Sequence, residues 1–228
     1  MLASRAQTEE IMDDPALEAE VYAAVLSDLA KVNTVTMARR PTLGFLDRAI
    51  GKRREFSLLD VGFGDGDMLR AIADWARRRG LSARLVGIDL NPRSEKVARG
   101  KTDAREPIEY RTGDYADLAG SRFDCIVSSL VAHHMTRPQL VAFLRFMESE
   151  AVAGWYINDL HRHGIAYIGY PLLARIAGWH PIVRQDGHLS IARSYRPEEW
   201  APILADAGID AARVERRFPF RLCVERLK

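Results

Sequence analysis

Residues able to do chemistry gather in three places along this chain. The first is Asp60-Val61-Gly62-Phe63-Gly64-Asp65-Gly66-Asp67, where an apolar run ends in a turn with glycines at 62, 64 and 66. Glycine tolerates positive φ and lets the backbone approach a ligand closely, and the start of a following helix adds unpaired N–H groups. Two ligand classes use such a turn. A dinucleotide needs Gly-x-Gly-x-x-Gly, the last glycine packing helix against strand, and here that last position is Asp67. Carboxylates at Asp60, Asp65 and Asp67 would also repel a pyrophosphate, so they favour a phosphate-free, positively charged ligand. Asp65 and Asp67 equally suit a helix start as capping and first-turn acids.

The second place is Asp89, which ends the apolar run Val86-Gly87-Ile88. It lies roughly 20 residues beyond the glycines, where a carboxylate accepts ribose hydroxyls, so the expected ligand contains a nucleoside. The third is a set of histidines. His133 and His134 follow the apolar run Phe123–Ser128, and Asp159-Leu160-His161-Arg162-His163 follows Val152–Ile157. Histidine titrates near neutrality and can take the proton of a weak nucleophile such as a phenol. His134 is the leading candidate, with His133 and His161 behind it; Asp159 stands two residues before His161 and could orient its ring. Paired histidines also pack and cap helices, and those of a loop are often simply solvated. Their spacing with carboxylates and thiols makes no zinc set.

These groups need elements to position them. Leu17, Val21, Val25, Leu29 and Val32 recur at intervals of four or three, predicting an amphipathic helix over Pro15–Val32. A second helix over Pro41–Ile50 stops at Gly51. The pattern then alternates. Strands are predicted at Phe56–Val61, Arg84–Ile88, Ile108–Arg111, Phe123–Ser128 and Val152–Ile157, with helices at Asp67–Arg79, from Pro92, and at Pro138–Glu148. Such alternation means a mostly parallel sheet with helices on both faces. Residues 160–196 break the rhythm: between His163 and Val183 the one charged residue is Arg175, among Tyr167, Tyr170 and Trp179. This insertion reads either as a helix on the sheet edge or as a lid over an apolar acceptor. A helix over Pro197–Ala207, closed by Gly208, and a strand pair around Pro219 complete the chain. The expected organisation is an N-terminal helical cap, residues 1–52, and one α/β domain, 53–228, carrying the insertion at about 160–196.

Taken in order, these motifs resemble the class I S-adenosylmethionine (SAM)-dependent methyltransferase family. Asp60-Val-Gly62-Phe-Gly64-Asp-Gly66 matches its first motif, Asp89 its ribose-binding acid, Gly113-Asp114-Tyr115 its adenine-contacting motif, and Phe123-Asp124-Cys125-Ile126-Val127-Ser128 its fourth-strand motif. The resemblance implies a Rossmann-like fold with a seven-stranded sheet and a reversed last strand. It implies Gly62 and Gly64, with Phe63 and Gly66 of the same turn, under the methionine part of SAM, and Asp60 near its amino group. Asp89 would hold the ribose, Asp114 the adenine amino group, and Leu90 and Tyr115 the faces of the ring, with Ser128 beside the cofactor at the end of the fourth strand. The cationic sulfonium and ammonium account for the acidic turn. Asp114 is also placed to cap the short turn at Tyr115–Leu118, and Arg39 or Arg40 to meet the cofactor carboxylate or simply solvent.

Two patterns within that family are absent. Asn/Asp-Pro-Pro-Tyr/Phe, common where amino groups of bases or protein side chains are methylated, is replaced by Ser128-Ser129-Leu130-Val131. The aspartate and Asp-Asn of the metal-dependent catechol enzymes are replaced by Ser128 and Asn158-Asp159, so no metal is expected. The segment Asn158–Ile176 is similar to that of bacterial methyltransferases of polyketide and phenolic-lipid pathways.

Composition sets outer bounds. Thirty-three basic against 31 acidic residues leave a net charge of +2 over 228 residues, which excludes a uniformly basic nucleic-acid-binding surface. Cys125 and Cys223 fit no disulfide framework and read as buried thiols of a cytoplasmic protein. No membrane span is expected, and a homodimer is compatible with the sequence. The expectation is a SAM-dependent O-methyltransferase acting on a small hydrophobic phenolic or polyketide-like acceptor. Its rivals are C- or N-methylation, a nicotinamide-dependent oxidoreductase, and a catalytically silent SAM-binding module.

Overall fold

The five predicted parallel strands lie side by side in the computed structural model, which describes residues 2–228. They are β1 (Glu55–Val61), β2 (Ser82–Asp89), β3 (Ile108–Thr112), β4 (Phe123–Ser129) and β5 (Ala151–Leu160). The terminal pair, β6 (Arg213–Arg217) and β7 (Arg221–Leu227), completes one seven-stranded sheet of order β3-β2-β1-β4-β5-β7-β6. β7 runs antiparallel to both neighbours, so the last strand is reversed. Chain order turns back at β1, between β2 and β4; ligands of open α/β sheets bind beyond the strand ends at such a point. Register brings the three ends together, with Val61 opposite both Ile88 and Ser128.

Both sheet faces are buried, and alternation divides the core between them. Leu59, Val61, Ile126, Trp155 and Ile157 pack on one face with α5 (Arg137–Glu150) and α8 (Pro197–Ala207). Leu58, Cys125, Val127 and Tyr156 pack on the other with α2 (Arg39–Ile50) and α3 (Asp67–Arg78). Helix starts follow local chemistry: Thr136 and Gln139 form a capping box at α5, and the Asn91 side chain accepts the Arg93 N–H at α4 (Pro92–Lys101). Gly208, in the left-handed conformation, ends α8.

Residues 2–52 divide between two jobs. α2 belongs to the core, with Phe45 stacked on Tyr156 at 5.0 Å between ring centroids. α1 (Ala19–Val35) and the segment before it lie over the C-terminal strand ends, where Tyr22 Oη and Ser94 Oγ are 2.9 Å apart. The insertion at 160–196 is a pair of helices, α6 (Gly164–Ile176) and α7 (Pro181–Arg193), rather than a single edge helix. Ala174, Trp179 and Val183 of this pair cluster with Val25 of α1. Gly187 is there because nothing larger fits: a Cβ would sit 2.2 Å from the Tyr170 hydroxyl, which donates to the Val183 carbonyl at 2.8 Å. No helix among the described residues is long and apolar enough to cross a membrane.

Candidate active site

The ends of β1, β2, β4 and β5 open into a cavity of about 470 Å³, roofed by α1, the residues before it, and the α6–α7 pair. Gly62, Gly64 and Gly66 all have positive φ. At Gly62 the left-handed backbone also brings Val131 close; a Cβ would lie 2.3 Å from its Cγ2. At Gly66 the obstacle is the Tyr110 hydroxyl at 2.4 Å, so this third glycine serves packing beneath the turn.

The electrostatics of this wall are unusual. Asp60 is buried with both carboxylate oxygens unpartnered, and burial, Asp67 and Asp89 together raise its pKa well above the usual carboxylate range. Asp89 receives the N–H of Gly64 at 2.9 Å and of Asn91 at 2.8 Å, yet burial still raises its pKa. Asp67 is raised by burial and by Asp65, an effect that Arg39, 3.0 Å away, partly offsets. Asp65 is neutralised by Lys101 at 2.9 Å and Arg70 at 3.4 Å. Against these acids stands Arg221 of β7, also buried, with Nε and Nη1 unpartnered and only long contacts from Nη2 to Asn33 and Thr36. Burial lowers its pKa. An unpaired buried charge costs several kcal/mol. One cavity here holds two of opposite sign that form no ion pair with each other, the arrangement an α-amino-carboxylate would satisfy at both ends.

A second wall carries the histidines. His133 is buried, its Nδ1 2.7 Å from Asp159 Oδ1, while its backbone N–H donates to Asp159 Oδ2 at 2.8 Å. Its Nε2 faces Glu10 Oε1 at 3.4 Å. Burial by itself would lower the imidazole's pKa; Asp159 and Glu10 outweigh it and hold the group up at about 9. His134 is half-buried, with Nδ1 3.0 Å from Asp13 Oδ2 and Nε2 3.8 Å from Glu10 Oε2. Glu10 and Asp13 belong to a segment tied down by Asp186, whose carboxylate accepts the N–H groups of Ile11 and Met12. Between the two walls the lining is apolar, with Met12, Leu26, Leu29, Met135, Tyr170 and Ile191 among its residues.

The family described as "Methyltransferase domain" matches residues 58–149, from β1 through nearly all of α5. Residues 58–149 are thus a methyltransferase domain, and the chain shares its fold with solved SAM-dependent methyltransferases. Among its relatives, the ubiquinone biosynthesis O-methyltransferase of Leptothrix cholodnii is 27% identical over 180 residues, covering 74% of this chain and 70% of that protein. The protein of the same name from Nitrosomonas europaea is 28% identical over 176 residues, covering 73% and 69%. In fold, the chain is similar to human N-acetylserotonin methyltransferase, solved in complex with SAM, with a TM-score of 0.65 at 15% identity. That match covers 92% of this chain but only 56% of the human one. A SAM-dependent methyltransferase from Aquifex aeolicus gives a TM-score of 0.62 at 17% identity, covering 92% and 97%.

In this methyltransferase Asp60, Gly62, Phe63, Gly64, Asp89, Leu90 and Tyr115 all line the cavity, and the motif order brings them to one edge of the sheet. Gly66, also expected at the cofactor, does not line it and packs instead against Tyr110. Ser128 is buried and donates to the Val61 carbonyl at 2.9 Å, pinning β4 to β1; its neighbour Ser129 is the one facing the cavity. Asp114 is exposed and caps the 3-10 turn Tyr115–Leu118 through the Ala116 N–H. His133 and His134 line the cavity; His161 does not, its ring lying 5.3 Å from that of His163. Asp159 orients His133, across the β4–β5 boundary, and not His161 as its spacing suggested. Arg39 is engaged by Asp67 and Arg40 is exposed. Sequence reasoning missed Arg221, Glu10 and Asp13. The only signals for them were an arginine opening the apolar run Leu222-Cys223-Val224 and acids ahead of the first amphipathic helix.

Proposed function

We propose that this methyltransferase moves the methyl group of SAM to a hydroxyl of a small, hydrophobic, phenolic or polyketide-like acceptor. The observation that carries the cofactor half is the pair of orphaned buried charges. Asp60 would meet the ammonium of the methionine part and Arg221 its carboxylate, a demand that a dinucleotide does not make. Asp89 keeps lone pairs for ribose hydroxyls while two backbone N–H groups fix its rotamer. Leu90 and Tyr115 stand where an adenine ring would lie, Tyr115 backed by Phe143 and Phe146 at 4.8 and 4.9 Å. When bound, SAM supplies an electrophilic methyl group on a cationic sulfur, and transfer leaves the neutral thioether of S-adenosylhomocysteine (SAH).

The chain's own contribution is placement and activation. In-line displacement gains most from holding the oxygen against the methyl carbon in the right direction. The apolar lining residues do this for a flat apolar acceptor and exclude water. A phenol is a poor nucleophile until its proton is removed or its oxygen polarised. The Glu10–His133–His134 cluster is the cavity's means of doing so, with His134 the more accessible ring. Support for oxygen as the acceptor atom comes from this cluster and from the two O-methyltransferase relatives.

The test is incubation with methyl-labelled SAM and a panel of alkylated phenols, alongside an extract of the producing cell, followed by mass spectrometry. The expected product carries its label on an aryl or enol oxygen. Label found only on carbon or nitrogen would overturn the O-methyl assignment.

A further inference from the structure

We propose that Glu10, His133 and His134 form a binding site for one divalent transition-metal ion of the zinc class, open towards the cavity. Each histidine presents Nε2 to the same carboxylate, at 3.4 Å from Oε1 and 3.8 Å from Oε2 of Glu10, and the three donors fall within 4.8 Å of one another. A charge-assisted hydrogen bond would be shorter, about 2.7–2.9 Å. Metal–ligand bonds of about 2.0–2.2 Å, by contrast, set the edge of a tetrahedral site at about 3.4 Å. The buried Nε2 of His133 has no hydrogen-bond partner.

The outer partners are those of a metal centre. Metal-bound histidines almost always give their other ring N–H to a carboxylate or carbonyl, which fixes the tautomer and aims the donor. Here both do: His133 Nδ1 lies 2.7 Å from Asp159 and His134 Nδ1 3.0 Å from Asp13. Glu10 is itself steadied by Ser190 Oγ, 2.8 Å from its Oε1. Two imidazoles and one carboxylate suit Zn²⁺, Co²⁺, Mn²⁺ or Fe²⁺, whereas Mg²⁺ prefers an all-oxygen octahedron. All three donors line the cavity, so positions left open on the ion face the acceptor space. The ligand class for those positions is an oxygen donor, a phenol or catechol hydroxyl. That role rests on the O-methyl reading; occupancy of the site does not. The ligand set was hidden in the sequence because Glu10 lies more than 120 residues before the histidines.

The experiment uses tag-free, chelator-treated full-length protein titrated with Co²⁺ and followed by visible absorption, with SAH calorimetry on the same samples. One equivalent should bind with the d–d bands of a mixed nitrogen–oxygen site. Half-buried His134 can be changed without disturbing the core, so His134→Gln should weaken Co²⁺ binding about 100-fold or more. Asp13→Asn should weaken it about 10- to 100-fold through ring orientation. Substoichiometric binding, or equal affinity in wild type and His134→Gln, would overturn the site and leave a proton as the charge between Glu10 and His133. Retained SAH binding confines such a failure to the metal proposal; loss of SAH binding in the wild type would instead strike the methyltransferase reading.

Discussion

Asp60 and Arg221 are each buried, each short of partners, and share one cavity. Asp60→Asn and Arg221→Met should therefore both stabilise the ligand-free protein, by about 1–3 kcal/mol, because each removes an uncompensated buried charge. That corresponds to a Tm rise of about 2–4 °C per kcal/mol for a chain of this size, readable by thermal scanning. A rise coupled to lost SAH binding is the trade-off expected where binding groups are held uncompensated in the free protein. The proton inventory follows the same logic. The folded-state pKa of Asp60 is raised, so the folded chain holds this proton more tightly than the unfolded one. Its contribution to stability falls as pH climbs from the unfolded value of about 3.9. An ammonium ligand needs the carboxylate, so SAH binding should weaken as pH falls, visible in calorimetry over a pH series. Asp60 was legible in the sequence because the glycine turn frames it. Arg221 was not, because 160 residues separate it from Asp60 and only the sheet brings β7 to that edge.

At the level of elements, the glycine turn and the segment before α1 are the pieces whose conformation the site depends on. Gly62→Ala must take φ of +78° and push a Cβ into Val131. Strain and overpacking together should cost about 2–4 kcal/mol in chemical denaturation and abolish SAH binding. Asp186 fixes Ile11 and Met12, and through them Glu10 and Asp13. Asp186→Ala should speed hydrogen exchange at those two amides while leaving β1 and β4 protected, a contrast that mass spectrometry resolves. Period-two and helical patterns made most strands and helices readable to within two or three residues. The α6–α7 pair was less readable, because its aromatic and apolar residues lack a polar face and its one buried acid, Asp186, serves the N-terminal segment rather than its own helix. Asp159 was misassigned for a related reason. Spacing within a strand pointed to His161, while pairing of β4 with β5 delivers His133.

Over the whole molecule the order β3-β2-β1-β4-β5-β7-β6 places every motif at one sheet edge, and that architecture was legible from alternation plus the family resemblance. The closure of the cavity was not, since Glu10, Asp13 and Arg5 reach the histidine wall from the opposite end of the chain, Arg5 donating to the His133 carbonyl at 2.9 Å. The two thiols belong to this scale as well. Cys125 and Cys223 are buried in β4 and β7, and burial pushes their pKa values up to about 12 and about 11. They should react with a thiol reagent only as the whole domain unfolds. The most direct measurement compares SAH with 5′-methylthioadenosine, which lacks the amino-acid portion, by calorimetry on wild type, Asp60→Asn and Arg221→Met. Wild type should prefer SAH by about 100-fold, or about 2.7 kcal/mol, and each variant should lose most of that preference while still binding the shorter nucleoside. Equal affinity of the wild type for the two compounds, or no binding of SAH at all, would contradict the assignment of this cavity to a nucleoside carrying an amino acid.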